Sequence, residues 1–271
     1  MPELPEVETI VRGLADALPG ATIRSVEVLK PDLIEGESAA SFADALAGRR
    51  IESITRRAKN IVMDTAGEYL LVNLGMTGRL FLARPGDPPS THPGVRFRLK
   101  DGRELTYHDV RRFGRLWRMQ PDEWREWEAT LGIEPLSDAF TAKWLFDATR
   151  KSRVAIKVWL MDQKRVVGVG NIYASEALFR AKVDPRTPAD ELTKAQAKKI
   201  RDGVRDVLTE SIEFRGTTLL DYRDAEGEPG EFVRRLRVYD REGEPCVVCG
   251  RPIQRIVQGG RSTFFCARCQ R

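Results

Sequence analysis

The chain has 271 residues, of which 41% are hydrophobic and 31% charged, and its formal net charge is +5. This composition excludes a disordered or collagen-like chain, and the length suits two compact domains better than one. No apolar run approaches the roughly 18 residues of a membrane span, and the acidic N-terminus lacks a secretory-signal pattern, so we expect a cytoplasmic protein. Basic charge without acids is concentrated in 110–118 and 246–271, which favours a polyanion partner.

The N-terminal part predicts one helix followed by many short strands. Pro5 suits a first helical turn, and apolar residues recur at helical spacing from Val7 to Leu18, so we predict a helix over 5–18. From 21 to about 119, short alternating runs are separated by turn signals such as Asp101-Gly102. This pattern predicts a β-sandwich or barrel with helices at its ends.

The second half is predicted to be mainly helical, with a β-rich tail. Helical patterns occupy 124–131, 140–149, 154–161, 172–179 and 193–214. The predicted fold class is therefore α+β with two domains. We place an N-terminal β-sandwich domain at 1–120, a linker at 121–137, a helical domain at 138–233 and a cysteine-bearing tail at 234–271.

All four cysteines lie in the tail, as two Cys-x2-Cys pairs separated by 16 residues: Cys246, Cys249, Cys266 and Cys269. This spacing is typical of a four-thiolate zinc site. Two disulfides are the alternative, which the missing secretion signal disfavours. Four thiolates leave no open coordination position, so one structural Zn²⁺ is expected to stabilise a tail too small to fold alone.

Between the cysteine pairs, the sequence predicts a hairpin whose turn is Gly259-Gly260 and whose tip carries Arg261. An arginine at such a tip suits a phosphate contact. Zinc ribbons also bind proteins, so the tail alone favours nucleic acid without excluding a protein partner.

Three central segments carry residues typical of nucleic-acid binding. In VGVGNIYASEAL, two glycines precede a predicted helix. Asn171 and the exposed backbone N–H groups at the start of that helix suit an anion. A simple turn between two helices would have the same sequence pattern. Met76 in NLGMTG and Phe113 in HDVRRFG lie in predicted loops, the latter among arginines. Such side chains resemble wedges that fill a gap in a base stack.

The N-terminal residues MPE offer an unusual nucleophile. Proline after the initiator methionine is small enough for Met1 normally to be removed, which would leave Pro2 with a free secondary amine. An α-amine has a pKa near 8, so a useful fraction is neutral at physiological pH and able to form a Schiff base. Glu3 is adjacent and suits proton transfer. Many chains begin Met-Pro without any catalytic role for the proline, so a catalytic role for Pro2 needs support from the other motifs.

Taken together, MPELPEVET, RRAKN, NLGMTG, HDVRRFG, GVGNIYASEALF and GGRSTFFCARCQR resemble the formamidopyrimidine-DNA glycosylases, in the same order and from end to end. The resemblance implies a β-sandwich catalytic domain, a helix–two-turn–helix domain and a β-hairpin zinc finger. It implies a monomeric, nucleoid-associated enzyme that acts on damaged double-stranded DNA. The expected activity is base excision of oxidised purines (8-oxoguanine and formamidopyrimidines) followed by β,δ-elimination at the abasic site.

The resemblance also implies residue roles. Pro2 would be the nucleophile and Glu3 the acid/base partner, with Lys59 near the lesion phosphate and base. Glu6, Thr217 and Tyr222 would line the lesion pocket, closed by the loop 217–230. Met76, Arg111 and Phe113 would enter the duplex in place of the flipped nucleotide, with Arg111 facing the orphaned cytosine. The full set of residues expected to contact DNA is Met76, His92, Arg111, Arg112, Phe113, Asn171, Tyr239 and Arg261.

Two alternatives stay open at this point. One is a glycosylase for oxidised pyrimidines with the same amine chemistry, although such enzymes usually begin PEGPE where this chain has PELPE. The other is a non-catalytic zinc-ribbon DNA-binding protein. One departure from the family pattern is Asn73, where a histidine often precedes LGM. An asparagine there can donate a hydrogen bond but cannot become charged.

Overall fold

The structure is a computed structural model that describes residues 2–83, 91–218, 222–225 and 227–271. It contains two compact units, one formed by residues up to 129 together with 214–233, the other by 130–213 together with 234–271. The predicted boundaries near 120, 137 and 233 stay predictions. The structure adds that 214–233, which precede the tail in sequence, lie with the first unit.

Helix α1, Leu4–Leu14, opens the first unit and is held at its start by a reciprocal cap. Glu3 accepts a hydrogen bond from the backbone of Glu6, whose side chain in turn accepts from the backbone of Glu3. Pro5 lies in the first turn, as predicted. The predicted helix is too long, because after Leu14 the chain tightens into turns that bring Leu18 back into the core.

Two four-stranded antiparallel sheets follow α1. One sheet has the order β1-β6-β7-β5 and consists of Ile23–Val28 (β1), Pro93–Leu99 (β6), Glu104–His108 (β7) and Arg79–Ala83 (β5). The other has the order β2-β3-β4-β8 and consists of Ser53–Arg57 (β2), Asn60–Asp64 (β3), Tyr69–Asn73 (β4) and Arg115–Met119 (β8). Buried side chains of both sheets and of α1 share one hydrophobic core, which confirms the predicted sandwich.

Two further α-helices lie in the described part of this unit. Helix α2, Ala39–Leu46, was not predicted; Ser38 caps it, and it buries Phe42 and Leu46. Helix α3, Pro121–Ala129, follows β8 and has no buried residue.

The second unit is helical with a terminal hairpin, as predicted. Its elements are Ala142–Thr149 (α4), Ile156–Met161 (α5), Asn171–Ala181 (α6), Lys194–Glu213 (α7), Gln254–Gln258 (β9) and Arg261–Phe265 (β10). Helices α6 and α7 pack closely at Gly203, where a Cβ atom would lie 2.7 Å from the carbonyl oxygen of Ala177. In the described part of the chain, no helix is long and apolar enough to cross a membrane.

A charge cluster ties β8 to two loops of the first unit. Glu68 is buried and binds Arg118 at 2.5 Å and Arg49 at 2.8 Å. Burial raises the pKa of the Glu68 carboxyl, but hydrogen bonds from Gln120 and Arg118 and the charges of both arginines outweigh burial and lower its pKa below the usual value. The ionised carboxylate is therefore favoured by folding.

We expect Glu68→Gln to lower the free energy of unfolding by about 1–3 kcal/mol at pH 7, because it removes a charged acceptor from two arginines. A carboxyl with a lowered folded-state pKa stabilises the fold above its unfolded pKa of about 4.3 and loses this effect as pH falls through the folded value. The difference from the parent should therefore vanish in acid. Urea unfolding at several pH values measures it, with Glu52→Gln as the control, since the Glu52–Arg50 pair is exposed and 3.8 Å apart. Equal losses at pH 7 and in acid would contradict the assignment.

Candidate active site and nucleic-acid interface

The start of α1 gathers three residues of the predicted active site. Pro2, Glu3 and Glu6 are all buried. The Glu3 backbone N–H donates to Oε2 of Glu6 at 2.7 Å, so the residue that follows Pro2 is held by the first turn of its own helix. Glu3 thus provides a buried carboxylate directly after Pro2 in sequence. Met1 and the state of its bond to Pro2 lie outside the described residues.

Glu6 also binds the segment predicted to close over the flipped base. Its Oε1 accepts from the backbone N–H of Thr217 at 2.7 Å, and the Tyr222 hydroxyl donates to its backbone carbonyl at 3.2 Å. Gly216 has φ +83°, and a Cβ atom there would lie 2.9 Å from Oε1 of Glu6, so only glycine fits without displacement. Burial, and then the charge of Glu6, raises the pKa of Tyr222, which keeps its hydroxyl a donor. Residues 219–221 and 226 of the predicted loop lie outside the described residues.

Lys59 occupies a tight turn between β2 and β3. The strands pair up to Arg57 and Asn60, which leaves a two-residue turn with Ala58 at φ 56°. Arg56 donates to the carbonyl of Ala58 at 3.0 Å and to Oε2 of Glu8 at 3.0 Å. The turn that carries Lys59 is therefore tied to α1, the helix that begins beside Pro2.

Met76, Arg111 and Phe113, here called the wedge triad, are all exposed in the first unit. The Arg111 guanidinium lies 4.7 Å from the centre of the Phe113 ring, a cation–π contact. An exposed aromatic ring stabilised in this way suits insertion between bases, as does an exposed methionine. Arg112 has φ 55° and lies 3.2 Å from Asp32, so its positive charge is partly engaged.

Asn73 precedes Met76 of the wedge triad by three residues, and His92 lies between Met76 and Arg111 in sequence. His92 is exposed and lies 3.0 Å from the Thr91 hydroxyl, with its ring 5.5 Å from that of His108. Burial, and then the nearby Arg79 and His92, lowers the pKa of His108. Asn73 donates to Asn60 at 2.8 Å and accepts from the backbone N–H of Gly75 at 3.0 Å. Asn73 thus supports the loop of Met76.

In the second unit, a buried lysine joins Asn171 to the hairpin. Asn171 is the first residue of α6, and its Oδ1 accepts from Nζ of Lys157 at 2.5 Å. The same ammonium donates to Oγ1 of Thr263 at 2.7 Å and to the carbonyl of Ser262 at 3.1 Å, and Lys157 is only 1% exposed. Gly259 and Gly260 both have positive φ at the turn, and the adjacent Arg261 is exposed. One charge thus joins Asn171 to the two hairpin residues that directly follow Arg261.

The four cysteines form one cluster, with all Sγ atoms within 4.8 Å of one another. Cys246 and Cys269 are 3.9 Å apart at sulfur, and Cys249 and Cys266 3.5 Å. A tetrahedral zinc with Zn–S bonds of about 2.3 Å requires S···S distances of about 3.8 Å, so the cluster fits the ion and excludes disulfides. The four thiolates hold one structural zinc, as the spacing predicted.

Two buried polar residues attach the tail to the helices of its unit. Gln270 accepts from the Cys266 backbone at 2.9 Å and donates to the Val183 carbonyl at 3.0 Å. Glu176 on α6 accepts from the backbone N–H groups of 237, 238 and 239 at 2.9–3.0 Å, which places Tyr239. Burial raises the pKa of Glu176, and these donors act in the opposite direction.

The structure thus brings the predicted residues together in two sets. Within the first unit, the Pro2 site, the Lys59 turn and the segment of Thr217 and Tyr222 are connected through α1, while the wedge triad occupies two loops of the sandwich. Within the second unit, Asn171, Arg261 and Tyr239 lie on one hydrogen-bonded framework with the cysteines. Sequence reasoning missed Lys157 and Glu176, whose only signal is a single charge in an otherwise apolar helical run.

Family models match nearly the whole chain. They are the formamidopyrimidine-DNA glycosylase N-terminal domain over 1–116, the H2TH domain of the same enzymes over 131–222 and the zinc finger found in FPG and IleRS over 243–271. The formamidopyrimidine-DNA glycosylase of Xanthomonas campestris pv. campestris is 44% identical over 273 residues, covering 100% of both chains. That of Methylococcus capsulatus is 43% identical over 272 residues, again covering 100% of both.

Solved structures agree with these matches. The MutM (Fpg) protein of Thermus thermophilus is 42% identical with a TM-score of 0.88, covering 99% of this chain and 98% of its own. A Lactococcus lactis FPG mutant in complex with a Fapy-dG containing DNA is 32% identical with a TM-score of 0.92, covering 100% of both. In sequence, domain content and fold, the chain belongs to the formamidopyrimidine-DNA glycosylase family.

Proposed function

We propose that the chain excises oxidised purines from damaged duplex DNA through the α-amine of Pro2 and then cleaves the abasic strand. The observation that carries this proposal is the buried site at the start of α1, where Pro2 directly precedes Glu3, whose backbone N–H binds Glu6. The relative solved with a Fapy-dG containing DNA supports an oxidised purine as the substrate. We further propose that it acts as a monomer in the cytoplasm, on the nucleoid.

The chemistry follows from a secondary amine. The neutral Pro2 nitrogen attacks C1′ of the lesion nucleotide, and the bond from C1′ to the base breaks as the base leaves with a proton. Opening of the sugar ring gives a cationic iminium, with Glu3 as the proton donor to the ring oxygen. The iminium withdraws electrons from C2′, so loss of a C2′ proton expels the 3′-phosphate, and a second elimination expels the 5′-phosphate. Water then releases the sugar remnant and restores the amine.

Binding residues deliver the nucleotide to this amine. Extruding a base costs a few kcal/mol, which the wedge triad offsets by filling the gap in the stack while Arg111 meets the orphaned base. Lys59 serves the lesion phosphate, and Glu6, Thr217 and Tyr222 the extruded base. The remaining proposed backbone contacts are His92, Arg112, Asn171, Tyr239 and Arg261. The zinc holds the hairpin of Arg261, and its four thiolates leave no coordination position for the substrate.

The test is a borohydride trapping experiment on two duplexes, one containing 8-oxoguanine opposite cytosine and one containing thymine glycol. We expect a covalent protein–DNA adduct with both and excision at least about tenfold faster, as kcat/KM, from the 8-oxoguanine duplex. A faster reaction on thymine glycol would assign the chain to oxidised pyrimidines. The absence of any adduct would refute the proposal and would favour a non-catalytic DNA-binding protein.

A further inference from the structure

Asp109, the only acid in HDVRRFG, is 3% exposed and lies between the two loops that carry the wedge triad. Its Oδ1 accepts from the Thr77 hydroxyl at 2.5 Å and from the backbone N–H of Arg111 at 3.2 Å. Its Oδ2 accepts from the backbone N–H of Gly114 at 2.8 Å and from the Tyr107 hydroxyl at 3.2 Å. A buried carboxylate is costly unless it is hydrogen-bonded, and here four donors satisfy it.

Thr77 closes the network from the opposite loop. Its hydroxyl donates to Asp109 and accepts from the Arg111 N–H at 3.0 Å, and Thr77 is only 6% exposed. Thr77 follows Met76 directly, whereas Arg111 and Gly114 bracket Phe113. A single hydroxyl and a single carboxylate therefore connect the backbone on both sides of the wedge triad.

The two loops are also in backbone contact, which glycines permit. Gly75 has φ +56°, and a Cβ atom there would lie 2.4 Å from the backbone nitrogen of Gly114. At Gly114, a Cβ atom would lie 1.8 Å from the Tyr107 hydroxyl oxygen. Burial, and then the charge of Asp109, raises the pKa of Tyr107, so its hydroxyl stays protonated and serves as a donor. The loops thus behave as one rigid platform under three exposed side chains.

We propose that Asp109 and Thr77 are positioning residues that hold Met76, Arg111 and Phe113 in the geometry in which they enter the duplex. This inference rests on the proposed function. A platform ordered before binding loses little conformational entropy when the triad inserts, so insertion and base extrusion become faster and more complete. Neither residue touches the reacting sugar, so the chemistry at Pro2 is independent of the platform.

The test uses the pair Thr77→Val and Thr77→Ser, because valine keeps the shape of threonine but lacks the hydroxyl, whereas serine keeps the hydroxyl. Insertion is followed by stopped-flow fluorescence of 2-aminopurine beside an 8-oxoguanine, together with kcat/KM for excision. Strand cleavage at an abasic site in single-stranded DNA reports the Pro2 chemistry without a base stack. Asp109→Asn serves as a second disruption, and melting temperatures report folding.

We expect Thr77→Val to slow insertion and to lower kcat/KM for excision from the duplex by at least about tenfold. Its cleavage of the single strand should stay within about twofold of the parent. Thr77→Ser should keep both the insertion rate and the duplex kcat/KM of the parent. A valine variant that inserts and excises like the parent overturns the platform. So does an equal loss on duplex and single strand, or a serine variant as impaired as valine. In each of these cases, a parent protein that forms the borohydride-trapped adduct still supports the proposed function. A parent protein that forms no adduct refutes the proposed function itself.

Discussion

Protein that carries extra residues in front of Pro2 is expected to form no borohydride-trapped adduct with an 8-oxoguanine duplex and to lose excision by about 10³-fold or more. In such a protein, the Pro2 nitrogen is an amide, whose lone pair is delocalised into the carbonyl group and cannot attack C1′. The free α-amine keeps its lone pair and is therefore the reactive form. Gel electrophoresis of the reduced reaction measures the adduct, and intact mass defines the N-terminus of each sample.

Pro2→Gly with a free N-terminus is the matched control for this experiment. It keeps an amine but makes it primary and more mobile, so the adduct should persist while excision slows. The melting temperature and duplex affinity of the extended protein should stay near those of the parent, which separates loss of chemistry from loss of fold. An adduct that forms equally well with the extended protein would place the nucleophile on another residue, most directly Lys59.

Loss of the zinc is expected to weaken duplex binding by about 100-fold or more. Structural zinc contributes much of the folding free energy of small zinc domains, and the core around Phe264 and Cys266 is small and includes Phe179 of α6. Cys266→Ser, or treatment with a chelator, should therefore unfold the hairpin and release Arg261 and the framework of Lys157. Fluorescence anisotropy with a labelled duplex measures the affinity, and mass spectrometry measures the bound zinc.

Arg261→Ala separates the metal from the contact that it supports. This variant keeps all four thiolates, so we expect it to retain zinc and to lose a single phosphate contact. The slope of log affinity against log salt should fall by about 0.9. A metal-free protein that binds duplex DNA as tightly as the parent would show that the hairpin is not needed for binding.

Local patterns sufficed for much of this fold. The cysteine spacing predicted the zinc site because each Cys-x2-Cys pair forms a local turn. Gly259-Gly260 predicted the hairpin because its turn is also local. Helix α7 was predicted at 193–214 and observed at Lys194–Glu213, since its long apolar stripe is unambiguous. Helix α2 was missed because its signal is a single serine cap with two large apolar positions, in a segment whose neighbours have strand patterns.

The residues proposed to act on DNA were predictable from the sequence, whereas the buried residues that support them were not. Pro2, Met76 and Arg261 belong to recognisable motifs, and their roles stay proposals. Asp109 and Lys157 act through partners distant in sequence: Thr77 is 32 positions from Asp109, and Thr263 is 106 positions from Lys157. No local pattern encodes such contacts, because the same residues on a surface would simply be hydrated.

The hydrogen bond from Lys157 to Asn171 creates a conflict between stability and binding at the start of α6. An aspartate at 171 would be favoured both by the helix dipole and by the buried ammonium, so the isolated protein would gain stability. In the proposed complex, that aspartate would present a negative charge to the phosphodiester. Asparagine accepts from Lys157 through Oδ1, and its amide Nδ2 is a donor that suits a phosphate oxygen. The amide therefore sacrifices some stability of the free protein for affinity, a trade-off typical of binding sites.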